Sequence, residues 1–384
     1  MKEERIPLAR PVLGEREEEL VLEVIRSGML SLGPMLGRFE RDFATRIGVE
    51  DAVALSSGTT ALHLGVRELG WGPGDEVLTT PLSMVASSNS LLFEGARPVF
   101  CDVDPATLTL DPAACEAVVG DATAGLLPVH IFGFPAAIAE LETLAGARGL
   151  SILEDCAQAL GTVDADGREA GSRGNPAAFA FYANKQMTTG EGGMLVPRDE
   201  AEAAIARSER NQGRAPGMKF MHHDRLGFNY RLTDLAAALG IAQLERLERM
   251  LEARAALAAE YSARFAELGA RQPGEGDPED LLLPLGDRGL ERRSWFVYIL
   301  RLPSSVDRDE VIAALDLRGI DARPYLPCIH LSEHYRREFG YREGQFPVAE
   351  DFSRRSLALP FYPGLPEEWR ERVVAEVGAL LGRV

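Results

Sequence analysis

Short apolar runs alternate with amphipathic segments between about residue 50 and residue 200 of this chain. A short apolar run predicts a buried strand, whereas apolar residues that recur every three or four positions predict a helix. The predicted strands are 52–55, 125–132, 151–155 and 177–182, and the predicted helices are 60–69 and 135–147. This alternation is typical of an α/β fold in which helices cover a mostly parallel sheet.

The pattern changes in the second half of the chain. Segment 232–268 is amphipathic and rich in Ala, Leu, Glu and Arg, so we predict a long helix there and leave open whether it is interrupted. Farther along we predict a strand at 294–302, a helix at 308–318, a strand at 319–323 and a closing helix at 366–381. These elements indicate a smaller α+β domain, and a chain of 384 residues is long enough for more than one core.

Composition and charge argue against a partner that is a polyanion. Hydrophobic residues are 46% and charged residues 26%, and the formal net charge of −18 opposes binding to nucleic acid or to an anionic membrane.

The N-terminus lacks the apolar segment of an export signal, so we expect a cytoplasmic protein. Four cysteines are too few for a disulfide framework. His330 and His334 have the spacing of metal ligands on a helix, but no glutamate follows the first of them, and we predict no metal site.

One lysine follows an apolar, aromatic run and precedes a glycine cluster. Lys185 comes after the predicted strand 177–182, and Gly190, Gly192 and Gly193 permit tight turns against a ligand. An amine in such a cleft has a lowered pKa because it is desolvated, and the neutral form is nucleophilic. Lys185 is therefore a candidate to bond the aldehyde of pyridoxal phosphate (PLP), although a lone loop lysine is more often a surface residue.

An acid lies at the carboxyl end of a neighbouring predicted strand. Segments 125–132, 135–147 and 151–155 form a βαβ unit that ends at Asp155, on the edge where open α/β sheets bind ligands. An anion there would keep the pyridine nitrogen of PLP protonated, and Gln158 could bond the phenolate oxygen. Taken alone, an acid in this position is as often a helix cap or a loop residue.

A cluster of glycine and hydroxyl residues lies between the predicted strand 52–55 and the predicted helix 60–69. The unpaired amides of a helix N-terminus favour a phosphate, and hydroxyls at Thr59 and Thr60 beside Gly58 add donors. An isolated cluster of this kind is more often an ordinary helix cap. The three parts together, in the order phosphate cup, acid and lysine, favour a PLP site.

At this point the chain resembles the DegT-type, PLP-dependent nucleotide-sugar aminotransferases, which have the aspartate aminotransferase fold. The resemblance covers almost the whole chain. It rests on Ile6-Pro7-Leu8, the loop 27–34, Ser57-Gly58-Thr59-Thr60-Ala61-Leu62, Glu154-Asp155-Cys156-Ala157-Gln158, Asn184-Lys185-Gln186-Met187-Thr188-Thr189-Gly190-Glu191-Gly192-Gly193, Gly227-Phe228-Asn229-Tyr230-Arg231-Leu232-Thr233-Asp234 and Arg323-Pro324-Tyr325. It implies a large PLP-binding domain at 1–250, with an N-terminal arm and a seven-stranded type of sheet, and a small α+β domain at 251–384.

The resemblance also implies residue roles. Lys185 would bond PLP and act as nucleophile and acid/base, Asp155 would pair with the pyridinium, and Gln158 would meet the phenolate oxygen. Gly58, Thr59 and Thr60 would form the phosphate cup. Asn229 would reach the phosphate of the partner subunit's cofactor in a homodimer with shared sites. The residues implied to lie near the substrate are Arg231, Tyr325 and His330.

Two positions depart from the pattern of the family. Many relatives stack an aromatic residue on the pyridine ring where this chain has Met84, whose thioether covers a ring face less rigidly. Many also have a phosphate-binding serine five residues before the lysine, where this chain has Ala180. Another group would have to replace that donor.

The implied activity is transfer of an amino group, with glutamate the expected donor, to a keto group of a nucleotide-linked deoxysugar in amino-sugar and polysaccharide biosynthesis. Two alternatives stay open. One is another PLP enzyme of the same fold, either an amino-acid aminotransferase or a sugar dehydratase. The other is a non-enzymatic PLP-binding regulatory protein, which would need an effector segment that the sequence does not show.

Overall fold

The computed structural model of the protein describes residues 5–214, 222–274, 277 and 279–383. Its strands are β1 Val53–Leu55, β2 Glu76–Thr79, β3 Arg97–Phe100, β4 Thr123–Leu127, β5 Ser151–Ile152, β6 Glu154–Asp155, β7 Ala177–Ala180, β8 Gly193–Val196, β9 Tyr298–Arg301 and β10 Ser356–Leu359. Its helices are α1 Glu15–Ser27, α2 Pro34–Ile47, α3 Gly58–Glu68, α4 Val85–Phe93, α5 Pro112–Glu116, α6 Ile138–Arg148, α7 Glu200–Glu209, α8 Asp234–Glu245, α9 Leu247–Glu267, α10 Arg308–Leu317, α11 Glu333–Phe339, α12 Pro347–Arg355 and α13 Glu367–Leu380. Short 3-10 helices lie at Ile131–Gly133 and Ile329–Leu331.

The strands of the first half form one continuous sheet. Hydrogen-bonded ladders run in the orders β3-β2-β4-β5 and β6-β7-β8-β1, and β5 and β6 are two parts of one strand separated by Leu153. The Leu153 amide donates to the Leu126 carbonyl at 3.0 Å, and Asp155 pairs in parallel with Val129, so the ladder continues across the gap. Over the described residues the sheet has seven strands, of which β8 runs antiparallel to both neighbours and the others are parallel. The predicted α/β class and mostly parallel sheet are confirmed.

Three segments leave this sheet at the same edge. β1 and β7 both pair antiparallel with β8 and both end opposite Gly193, so α3 and the segment after Ala180 begin side by side. β6 runs parallel to β7 and ends at Asp155. The start of α3, Asp155 and Lys185 are therefore brought to the carboxyl edge of the sheet.

The long amphipathic segment forms two helices. α8 and α9 meet at Arg246, whose φ of −123° and ψ of 12° are not helical. The strand predicted at 294–302 is shorter than expected, because Trp295 takes a positive φ of 50° and β9 begins only at Tyr298. The local pattern therefore identified the elements but not all of their ends.

One predicted strand, at 319–323, is wrong. Ile320 makes a single parallel bridge to Ile6, and Arg323 makes a single antiparallel bridge to Ala358. The two bridges lead to different segments, so the residues from 319 to 323 form no ladder of consecutive pairs with one partner. An apolar pattern indicates an extended segment, but a strand also needs one continuous partner.

The second half of the chain has a core beside the sheet. Phe265 of α9, Tyr298 of β9 and Val377 of α13 belong to the same buried cluster, which is the predicted α+β arrangement. α9 passes through residue 250 without a break, so the predicted boundary between residues 250 and 251 falls near its start. The division into two domains at that point stays a prediction.

The described residues contain no helix long and apolar enough to span a membrane. The four cysteines are buried free thiols. His330 lies in the 3-10 helix Ile329–Leu331 and His334 in α11, so the two histidines do not share one helix face.

Candidate active site

A cavity of about 360 Å³ opens at the carboxyl edge of the sheet. Its walls are the starts of α3 and α4, the ends of β6 and β7 with the segments that follow them, and two segments from the second half of the chain. Of the residues predicted from the sequence, the walls include Gly58, Thr59, Met84, Asp155, Gln158, Lys185 and Tyr325. Residues far apart in the sequence thus face one space.

The phosphate cup is built by the first turn of α3. Ser57 caps the helix, because its hydroxyl accepts from the Thr60 amide at 3.2 Å while the Thr60 hydroxyl accepts from the Ser57 amide at 3.1 Å. Thr60 is thus engaged in the cap and does not line the cavity, whereas Thr59 does. A Cβ atom at Gly58 would lie 2.6 Å from the Cβ of Ala180, so glycine keeps this approach open. The first amides of the helix have no intrahelical acceptor and can donate hydrogen bonds to an anion.

Asp155 is a buried carboxylate with two neutral donors. The Ser87 hydroxyl donates to its Oδ2 at 2.7 Å and the Ala157 amide donates to its Oδ1 at 3.0 Å. Burial raises the pKa of Asp155 in spite of these bonds and of the attraction of Lys185. A cation that entered the cavity would therefore stabilise the ionised carboxylate.

Lys185 follows β7 on a turn in which its amide donates to the Tyr182 carbonyl at 3.0 Å. Its Nζ atom lies 4.3 Å from the centroid of the Phe296 ring. Burial lowers the pKa of Lys185 to about 8, and the nearby Asp155 carboxylate opposes that shift. A substantial fraction of the amine is consequently neutral and nucleophilic just above neutral pH.

Gln158 and Met84 are two further residues of the cavity wall. The Oε1 atom of Gln158 accepts from the Phe132 amide at 3.0 Å, so the carboxamide keeps its NH₂ group for the cavity. Met84 is the residue before the first turn of α4 and is 50% exposed, so its thioether is accessible to a flat ligand. Sulfur contacts of this kind with rings are favourable but weakly directional.

Three residues that the resemblance implies for binding do not line the cavity of the same chain. Asn229 is exposed, and the Arg231 guanidinium donates to the Asn211 side chain at 3.1 Å. His330 is fully buried with its Nε2 atom 3.1 Å from Glu350, and burial lowers its pKa. Their predicted roles stay predictions.

The group His130, Glu154 and Cys156 lies behind Asp155 and has the composition of a metal site. Both nitrogens of His130 are already engaged, since Nδ1 accepts from the Ala136 amide and Nε2 lies 3.0 Å from Glu154. Burial raises the pKa of the Cys156 thiol far above its usual range. The geometry is that of a hydrogen-bonded core network, which fixes the strand that ends at Asp155.

Ser87 and Phe296 are wall residues that the sequence did not indicate. Ser87 lies one turn into α4 after Met84, and a serine one turn after a helix start carries no signal of its own. Phe296 follows a buried segment more than a hundred residues beyond Lys185. Only the packing of the second half against the sheet brings its ring to the amine.

Comparison with known proteins identifies the family of this chain. The chain matches the DegT/DnrJ/EryC1/StrS aminotransferase family over residues 11–378. It belongs to this family. The protein is accordingly a PLP-dependent aminotransferase.

Several relatives align with this aminotransferase over nearly their full length. It is 36% identical over 386 residues to the "Spore coat polysaccharide biosynthesis protein SpsC" of Bacillus subtilis, with 97% of this chain and 96% of the relative covered. It is 37% identical over 380 residues to a GDP-perosamine synthase of Caulobacter vibrioides, with 98% of each covered. The crystal structure of S. venezuelae DesV in complex with a ketimine intermediate is 35% identical, has a TM-score of 0.88 and aligns over 99% of this chain and 100% of that chain.

The cavity of this aminotransferase fits PLP on the chemistry of its walls. The amides of α3 and the Thr59 hydroxyl suit a phosphate, and the absence of a side chain at Gly58 leaves space for it. The buried Asp155 carboxylate suits a protonated pyridine nitrogen, and the Lys185 amine suits an aldehyde. The Asn184 Oδ1 atom is buried without a hydrogen-bond partner among the described residues, and this side chain also lines the cavity, so the site has polar capacity left for a ligand.

Proposed function

We propose that this aminotransferase moves an amino group from glutamate to a keto group of a nucleotide-linked deoxysugar. The observation that carries the proposal is that the Lys185 amine, the Asp155 carboxylate and the start of α3 line one cavity. The substrate class is supported by the relatives of similar length, one named for perosamine carried on GDP and one for polysaccharide biosynthesis. Cytoplasmic location stays a prediction.

Each wall residue has a distinct task in this proposal. PLP, when bound, supplies a protonated pyridine ring that withdraws electrons from the carbon bearing the amino group. Asp155 holds the proton on the ring nitrogen, and Ser87 and the Ala157 amide keep the carboxylate oriented. Lys185 Nζ removes the proton from the α-carbon of the donor and later delivers a proton to the former keto carbon of the acceptor. The amides of α3, with Thr59, anchor the phosphate.

The acceptor class is tested by following nitrogen. The purified enzyme is given glutamate carrying an isotopic nitrogen label together with one of a panel of keto sugar nucleotides, and the products are weighed by mass spectrometry. We expect the label in an amino sugar nucleotide and none in amino acids made from a parallel panel of keto acids. Label in the amino acids alone would make the protein an amino-acid aminotransferase. Loss of water from the sugar without gain of nitrogen, or no reaction with any acceptor, would refute the proposed acceptor class.

We propose that the active unit is a homodimer whose sites are shared. Asn229 is exposed and lies outside the cavity of its own chain, yet the residues on both sides of it are firmly held. The Phe228 and Tyr230 rings stack with centroids 4.8 Å apart and planes inclined by 9°, and the Tyr230 hydroxyl lies 3.0 Å from the Nδ1 atom of His63. An exposed polar side chain on a well-packed segment is suited to contact a second subunit.

Asn229→Ala should therefore weaken PLP retention without unfolding the protein. One hydrogen bond to a charged phosphate is worth about 1.5 to 3 kcal/mol, so the expected loss of affinity is about ten- to more than a hundredfold. Because residue 180 is alanine, the phosphate cup lacks one hydroxyl. Each remaining donor should therefore contribute a larger share of the phosphate-binding energy. Equilibrium dialysis of PLP measures the loss, and the melting temperature of the cofactor-free variant serves as the control for folding.

Mixing two inactive variants tests whether the sites are shared. Lys185→Ala lacks the amine, and Asn229→Asp places a carboxylate that repels phosphate. In a mixed dimer one site would carry both changes and the other neither, so activity should return on mixing. Verified mixed dimers without activity, or a fully active monomer, would refute the shared site but leave the amino-transfer proposal intact.

A further inference from the structure

A buried guanidinium joins the two sides of the cavity. Arg254 lies on α9 and is only 4% exposed. Its Nη1 atom donates to the carbonyls of Trp295 and Phe296, each at 3.2 Å, and its Nη2 atom donates to the carbonyl of Lys185 at 3.3 Å. One side chain thus holds the residue that carries the amine and the residue whose ring lies against that amine.

Burying a cation at this position costs free energy, which indicates that the Arg254 side chain has a specific function. Among the described residues no carboxylate pairs with Arg254, its Nε atom has no hydrogen-bond partner, and burial lowers its pKa to about 10. Buried charges in proteins are normally paired, because leaving water is expensive. Here three backbone carbonyls and the face of the Phe361 ring, 5.7 Å from the guanidinium carbon, are the compensation.

The segment that Arg254 holds is independently constrained. Trp295 has a positive φ of 50°, a conformation that residues with large side chains rarely adopt. The preceding residue, Ser294, accepts at its hydroxyl from Gln186 at 2.8 Å and from Thr162 at 2.9 Å. Gln186 is the residue after Lys185, so the segment is tied twice to the lysine turn. The strained backbone directs the Phe296 ring to within 4.3 Å of the Lys185 amine.

We propose that Arg254 is a positioning residue for Lys185: by binding the carbonyls of Phe296 and Lys185 together, it holds the phenyl ring against the amine, shields that side of the amine from water and thereby sets how readily it loses its proton. This inference rests on the proposed function, in which the Lys185 amine is the nucleophile. Arg254 itself does not touch the reacting atoms, and its effect passes through Phe296.

The proton affinity of Lys185 is measured directly in the full-length chain after its cofactor has been removed. Lys185 is one of three lysines in the sequence, with Lys2 and Lys219, so competitive acetylation followed by mass spectrometry resolves it cleanly. The other two lysines are labelled in the same sample, and the extent of their labelling corrects for differences in reagent reactivity. The wild-type chain should be labelled at Lys185 with a midpoint near pH 8.

The proposal predicts how the midpoint moves in variants. Arg254→Lys keeps a cationic side chain but loses the planar set of donors that reaches three carbonyls. Its midpoint should rise by about one pH unit or more, because water reaches the amine. Phe296→Ala should raise the midpoint in the same direction. Arg355→Lys, which alters another buried arginine that donates to a backbone carbonyl but lies outside the cavity walls, should leave the midpoint near that of the wild type.

The double variant decides whether Arg254 acts through the ring. Once Phe296→Ala has removed the ring, adding Arg254→Lys should shift the midpoint little further. An unchanged midpoint in Arg254→Lys, a shift that persists in full without the ring, or a Phe296→Ala midpoint that does not rise would each overturn the proposal. Thermal unfolding shows which variants are folded, and Arg254→Gln and Phe296→Leu replace any that are not. If the cofactor were bound to another residue, the proposed function would fail, but the titration would still test whether Arg254 and Phe296 control the protonation of Lys185.

Discussion

Lys185→Ala is expected to lower amino-transfer turnover by about ten-thousandfold or more, because one nitrogen provides both the covalent bond to the cofactor and the proton transfers. The loss should appear in kcat, since the amides of α3 and the Asp155 carboxylate remain to bind PLP without a covalent bond. Borohydride treatment of the wild-type holoenzyme should attach the cofactor permanently to Lys185, and peptide mass mapping locates the attachment. The visible absorbance of the bound cofactor should change in the variant.

Lys185→Arg is the matched control for this prediction. It keeps a positive charge beside Asp155 but offers no nucleophilic amine, because a guanidinium does not deprotonate in this range. We expect it to be as inactive as the alanine variant. Turnover close to that of the wild type in either variant would remove Lys185 from the proposed chemistry.

Asp155→Asn is expected to reduce turnover by about a hundred- to a thousandfold, with a much smaller effect on PLP affinity. The substitution keeps the size of the side chain but removes the charge that holds a proton on the pyridine nitrogen. Each unit by which the pKa of that nitrogen falls corresponds to about 1.4 kcal/mol of lost stabilisation. Steady-state kinetics at saturating cofactor, with PLP affinity measured separately, distinguishes the two effects.

Ser87→Ala provides the comparison for Asp155→Asn. It removes the 2.7 Å hydrogen bond to Oδ2 but leaves the carboxylate and the bond from the Ala157 amide. Loss of one hydrogen bond to a charged group costs about 1.5 to 3 kcal/mol, so its effect on turnover should be smaller than that of Asp155→Asn. Normal amino transfer by Asp155→Asn would mean that another group is the partner of the ring nitrogen.

Asp155 and Lys185 both have pKa values shifted by burial in the cavity wall. Burial raises the pKa of Asp155 and lowers that of Lys185, so each group is less readily charged than it would be in water. A bound pyridinium would reverse the first shift, and a neutral amine is the form that attacks an aldehyde. The Lys185 shift therefore favours attack on an aldehyde, whereas the Asp155 shift is one that a bound pyridinium would have to overcome.

Much of the fold could be predicted from local pattern alone. Strand β7, the βαβ unit that ends at Asp155 and the helix pair α8 and α9 all formed near the predicted positions, because period and length distinguish strands from helices. The strand predicted at 319–323 failed, because its two possible partners, Ile6 and Ala358, lie on different segments. No local pattern contains that information.

The sequence by itself determined the chemistry of the site in its essentials. A glycine and hydroxyl cluster before a helix, an acid at the end of a strand and a lysine after the next buried run are local features, and a parallel sheet carries such strand ends to one edge. It therefore identified Gly58, Thr59, Asp155 and Lys185 as residues that now line one cavity.

Only the tertiary structure decided what surrounds those residues. The Thr60 hydroxyl takes part in a helix cap, and Ser87 donates to Asp155. Phe296 comes from a distant segment to lie against the Lys185 amine, and Arg254 binds the backbone carbonyl of Lys185. A phenylalanine or an arginine in an apolar segment has the same local pattern whether it lines a site or fills a core. Their function depends on packing between segments remote in sequence, which the order of hydrophobic and polar residues does not specify.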